Sequence, residues 1–112
     1  MAASDFVDHV LELMQPMGDV QARKMFGGFG IFSGDRMFGL VSRDGTLYLR
    51  TGDANRAAFV DEDLAQFMNM PYHEAPADAL DDGEVMCAWA EPARAVALSA
   101  KPKKKSATKK KS

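Results

Sequence analysis

Two histidines, one cysteine and a scatter of serines are the residues of this 112-residue chain with the chemistry of ligands, bases or nucleophiles. A protein metal site draws thiolates and imidazoles from closely spaced pairs, and His9, His73 and Cys87 match no such spacing. The histidines read as surface residues and Cys87 as a thiol packed within a helix. As a nucleophile Cys87 needs a neighbouring base and a positive setting. It falls mid-helix instead, two positions before Trp89 and among acids. Ser4, Ser33, Ser42 and Ser99 occupy cap, turn, strand-end and tail contexts. The carboxylates gather in "VDED" and "DALDDGE", which read as helix ends and solvated faces. No catalytic, metal-binding or cofactor-binding residue is therefore assigned. No cofactor is expected, and the chain reads as non-enzymatic.

The stretch "KMFGGFGIFSGDRMFGL", residues 24–40, mixes glycines with bulky apolar residues. A phosphate cradle needs its glycine loop to lead into a helix N-terminus, whereas this one leads into more strand-forming sequence. Glycine between strand residues marks a bulge, a bend or a close approach. The expectation is that Gly27-Gly28-Phe29-Gly30 bends a strand so that a helix packs against it.

The clearest interaction feature is charge. Residues 101–112, "KPKKKSATKKKS", hold Lys101, Lys103, Lys104, Lys105, Lys109, Lys110 and Lys111 and no acid. These seven leave seven of the fourteen Lys and Arg residues against all sixteen acids, so a body of about −9 carries a segment of +7. Such a block reads as a disordered arm that binds polyanions by counterion release without reading sequence. A solubilising tail, or one folding back on the acidic body, is the simpler alternative. Arg23, Lys24, Arg50 and Arg56 are candidates for a secondary basic patch, with ion pairing to the excess acid as the preferred reading.

Chain length allows one domain, residues 1–100, ahead of that arm. No stretch approaches a membrane span, and "MAASDFVDHV" lacks the regions of a signal peptide, so no membrane partner is expected. A single cysteine agrees with a reducing compartment, and a cytoplasmic location is the expectation.

The elements follow from periodicity. Phe6, Val10, Leu13, Met14 and Met17 share a helical face over about residues 4–15, capped by Ser4 and stopped by Pro16 and Gly18. Residues 20–50 read as three or four antiparallel strands, with turns at Ser33–Arg36 and at Arg43–Thr46, where Asp-Gly suits type I′. Asp53 is a candidate cap for a second helix, "ANRAAFVDED". "AQFMNMPYHEAP" reads as one or two strands, with Met68 and Met70 on one face as a dimer or partner surface. Asp81 with Glu84 marks a last helix striped by Val85, Trp89, Ala93 and Val96, with Trp89 buried against the sheet and a kink or break at Pro92.

"RKMFGGFGIF", "RMFGLV", "LYLR", "DANRAAF" and "MPYHEAPADALDD…AWA" together resemble the TfoX N-terminal domain family over roughly residues 5–97. The resemblance implies a two-layer α+β fold in which an antiparallel sheet is covered on one face by helices, in the order helix, strands, helix, strands, helix. It also implies a regulatory class, since full-length members govern DNA-uptake competence, are thought to act with a cyclic-AMP receptor protein at promoters, and carry a second domain.

Three functions follow. The first is a regulatory or adaptor domain that binds a protein partner or itself as a homodimer, with weak nucleic-acid contact through the lysine arm. The second is a nucleoid-associated DNA-binding protein whose arm is the active part. The third is a small-molecule-binding domain using a pocket where the glycine block meets the last helix.

Overall fold

A computed structural model describes residues 3–25 and 27–99. The lysine segment, and with it all seven candidate lysines, lies outside the described residues. Helix α1 spans Ala3–Leu13 and runs into a short 3-10 turn, Gln15–Met17. Pro16 sits at the start of that turn, where its missing N–H costs nothing, and Gly18 leaves it at φ +86°. Because the helix already contains Ser4, this residue does not hold the cap position expected of it.

Five antiparallel strands follow in an order that repeats the chain order. They are β1 Gln21–Met25, β2 Gly28–Ser33, β3 Arg36–Val41, β4 Leu47–Arg50 and β5 Tyr72–Glu74. Helix α2, Arg56–Asp61, lies between β4 and β5, and α3, Gly83–Ser99, closes the domain. The expected α+β arrangement is present. Gly34, at φ +64°, is the first of two residues between β2 and β3, the position that a type II′ hairpin reserves for glycine. The β3–β4 turn departs from the type I′ expectation. Asp44 keeps a negative φ, Gly45 takes φ +83°, and Gly45 N–H donates to Ser42 O at 2.9 Å while Ser42 N–H donates to Thr46 O at 2.9 Å. That is a type I turn closed by a glycine bulge.

Register assigns the faces. Ala22, Ile31, Gly39, Leu49 and His73 align across the sheet and face the helices. Arg23, Gly30, Leu40, Tyr48 and Glu74 align one residue along and face the other way. An irregularity beside Ile31 and Phe32 lets Phe38 turn into the core, where it is fully buried. Val7 and Val10 of α1, and Met14 just after it, meet Ile31, Val41, Leu47 and Leu49 there, with Phe59 from α2.

Helix α3 covers this layer with Met86, Ala90, Ala93 and Ala97, a stripe narrower in side chain than the Val85–Trp89–Val96 one expected. Alanines bring the helix close to the sheet, and a β-carbon on Gly52 would stand 2.8 Å from Val96 Cγ1. The helix does not break at Pro92. Pro92 and Ala88 are both exposed, on the side of the helix where a released carbonyl has access to solvent. Its N-terminus is capped by Asp82 rather than Asp81: Asp82 Oδ1 accepts from Glu84 N–H at 2.8 Å and Val85 N–H at 3.4 Å. Asn55, not Asp53, organises the start of α2, accepting from Gly52 N–H at 2.8 Å and donating to Arg50 O at 3.0 Å. Trp89 is half-buried, not fully buried as expected, and meets Phe59 of α2 edge-on with centroids 4.8 Å apart.

Candidate functional site

The glycine block does not receive a helix. Gly27 turns the β1–β2 connection at φ +82°, and Gly28 and Gly30 look out on the face away from the helices. A β-carbon on Gly28 would stand 2.2 Å from the Val41 carbonyl oxygen, so the close neighbour is strand β3. On Gly30 it would meet the Met25 and Met37 sulfurs at 2.7 and 2.8 Å. The two thioethers therefore fold over a floor that has no side chain. Glycine spacing makes a hollow, and flexible methionines line it.

The rest of the hollow comes from β3, β4 and the segment 65–71. Leu40 and Tyr48 stand on the strands, and Phe67 leans onto Tyr48 with ring centroids 4.7 Å apart at 51°. The segment is braced by its own bonds: Phe67 N–H to Tyr72 O at 2.8 Å, Met70 N–H to Phe67 O at 3.0 Å and Gln66 Nε2 to Met70 O at 2.8 Å. This holds Met68 at φ +50°, in a turn, so Met68 and Met70 do not alternate along a strand as expected. They still form an exposed apolar rim, Met68 at 75% and Met70 at 39% exposure. The resulting groove has a volume of about 670 Å³, and the Ser42–Asp44 turn is part of its lining. It lies on the face opposite α3, not where the glycine block was expected to meet that helix.

Few ionisable groups face it. Burial pushes the Tyr48 hydroxyl up, and the Glu74 and Asp44 carboxylates push it the same way, so it stays a protonated donor. Asp44 Oδ1 accepts a hydrogen bond from the Ser42 hydroxyl. Arg43 lies over the β1–β2 turn, its Nε 3.1 Å from the place a β-carbon on Gly27 would take.

The titratable residues singled out by sequence are elsewhere. His9 is exposed and donates from Nε2 to Leu80 O at 2.7 Å. His73 is not a surface residue. It is buried on the helix side, with Nδ1 3.0 Å from Thr51 Oγ1 and its ring 5.7 Å from that of Phe59. Burial, and then the Arg56 charge, lower its pKa. Cys87 is half-buried with Sγ 3.7 Å from Leu13 O, and burial followed by the Glu91 charge raises its pKa against the opposing pull of Arg94. Among the described residues no group of three or more His, Cys, Asp or Glu is placed to hold a metal ion, and no helix is long and apolar enough to cross a membrane.

The four residues of the secondary basic patch are spread out. Arg23 and Lys24 belong to edge strand β1 and, as strand neighbours, face opposite ways. Arg23 lies 4.6 Å over the Phe32 ring. Arg50 is three strands along, about 14 Å at ordinary strand spacing. It sits 5.9 Å over the Tyr72 ring with a buried Nε that has no hydrogen-bond partner. Arg56 pairs with Asp53 at 3.4 Å. Sequence reasoning missed the groove itself. Its legible signal was Gly28 and Gly30, two residues apart and so on one face, beside Met25 and Met37.

The sequence profile of the TfoX N-terminal domain matches residues 12–97. In addition, 67 residues are 34% identical to the DNA transformation protein TfoX1 of Aliivibrio fischeri (strain ATCC 700601 / ES114), covering 60% of this chain and 32% of that protein. The matched part is thus about a third of the relative's length.

Proposed function

The chain belongs to the TfoX N-terminal domain family, and on that premise we propose that it is a non-enzymatic regulatory or adaptor domain that acts by binding a protein partner through its open sheet face. The observation that carries this reading is the groove of about 670 Å³ lined by Met25, Met37, Leu40, Tyr48 and Phe67 and rimmed by the exposed Met68 and Met70. Methionine-rich surfaces adapt to apolar side chains of varied shape. Self-association through this face is the homodimeric form of the same reading. The relative's printed role in DNA transformation supports a regulatory setting.

The lysine segment supplies weak, sequence-independent nucleic-acid contact in this proposal. Seven phosphate contacts correspond to a slope of about −6 for log K against log salt, from roughly −0.9 per contact. Repulsion by the acidic body makes the observed slope shallower.

One experiment tests both parts. The protein is used to capture partners from cell extract with and without nuclease treatment, beside a Met68→Asp/Met70→Asp variant and a variant with all seven tail lysines changed to Gln. A discrete protein retained by the native and tail variants, and lost with the methionine variant, is the expected result. Capture that depends on the lysines alone and disappears with nuclease would replace this reading with that of a nucleoid-associated protein.

A further inference from the structure

Methionine grooves discriminate poorly by shape, so selection among apolar partners falls to charge at the rim. Here the charge runs against that of the molecule. The body carries about −9, yet the open face presents Arg23, Arg43 and Arg50 against Asp44 and Glu74. In the groove lining itself the two charges are Arg43 and Asp44. The Asp44 carboxylate is already engaged by the Ser42 hydroxyl. The Arg43 guanidinium is exposed, and it takes no part in the ion pairs among the described residues, Arg56–Asp53 and Arg94–Glu91. The apolar trough thus carries in its lining one cation with five donors and, next to it, one carboxylate that already accepts from the Ser42 hydroxyl. A carboxylate set beside apolar anchors is the group that completes it.

We infer that the open-face groove takes a protein segment that places acidic residues beside its apolar anchors, with Arg43 as the residue that receives the carboxylate. This rests on the groove being the docking surface proposed above. A lysine-bearing segment of equal apolarity meets Arg43 as a like charge, and its one counter-charge in the lining, Asp44, lies next to that arginine. The acidic body as a whole favours the opposite choice, so the two electrostatic effects predict opposite preferences.

The test uses the full chain with methyl-labelled methionines and two synthetic amphipathic helical peptides. The peptides share one Leu/Phe face and carry Glu or Lys at all other positions. Met25, Met37, Met68 and Met70 report on the groove, while the buried Met14, Met17 and Met86 report on the fold. The expected result is saturable shifts of the groove methyls only, with the Glu peptide bound about tenfold more tightly than the Lys peptide and the order reversed by Arg43→Glu. Because Arg43 is an exposed turn residue, unchanged core methyls will show that this variant is folded.

Equal affinities, or tighter binding of the Lys peptide at the groove methyls, overturn the charge selection and leave the docking surface standing. No groove shift with either peptide overturns both. Groove shifts with dodecanoate but with neither peptide assign the groove to a small carboxylate and overturn the protein occupant.

Discussion

Tyr48 and Phe67 come together from a strand and a later loop, their ring centroids 4.7 Å apart and inclined by 51°. This contact fixes the segment 65–71 over the sheet and makes one wall of the groove. Phe67→Ala should lower stability by about 1–2 kcal/mol in urea unfolding, the scale of a half-buried aromatic pair. The same variant should broaden the Met68 and Met70 methyl signals, because the wall loses its anchor.

Gly28 and Gly30 should respond differently to a side chain. At Gly28 the obstruction is the Val41 backbone carbonyl, 2.2 Å from the β-carbon position, which cannot swing aside. Gly28→Val should cost about 1–3 kcal/mol. At Gly30 the obstacles are the ends of the Met25, Met37 and Phe32 side chains. Gly30→Ala should therefore cost less than Gly28→Ala while displacing the Met25 and Met37 methyl resonances. Thermal melts and methyl spectra of the two alanine variants separate these outcomes.

Phe59 should matter more than Trp89. Phe59 is 1% exposed and touches both His73 and Trp89, whereas Trp89 is only half-buried. Phe59→Ala should cost about 3–5 kcal/mol and Trp89→Ala roughly 2 kcal/mol. Indole emission in the native protein should fall between the fully buried and fully exposed limits.

His73 makes stability depend on pH with a definite sign. Its folded pKa lies below the ordinary 6.5 because burial, and then Arg56, disfavour the imidazolium. The unfolded chain therefore binds the proton first, and the stabilisation is complete above 6.5 and lost as pH falls from there toward the lower folded value. Urea unfolding of native protein and His73→Gln on both sides of 6.5 should show the native advantage shrinking on the acid side.

The sheet was readable from the chain because glycines, β-formers and tight turns alternate within residues 20–50, and every partner strand is the next one along. What escaped reading needed information held between distant residues. His73 is buried because β5 sets it opposite Leu49, a register that no local pattern announces. Asp81 and Asp82 are chemically the same candidate cap, and the preceding 3-10 turn, Ala77–Leu80, decides between them. Pro92 is tolerated on the exposed side of α3, which depends on how that helix is rotated on the sheet. The groove draws its walls from β1, β3, β4 and a loop, so its methionines and aromatics are indistinguishable from core residues until the faces are assigned.

Strand order that repeats chain order also shapes how this domain reaches its native state. Strands β1 to β4 form by successive short-range closures, each hairpin templating the next, and such local contacts assemble quickly. Helices α1 and α2 cover part of the apolar helix-side surface of that meander, and the rest stays open until α3, the last element, lands on it. On a ribosome strands β1 to β4 emerge well before α3, so the interval before that helix docks is when the nascent domain is most prone to aggregate.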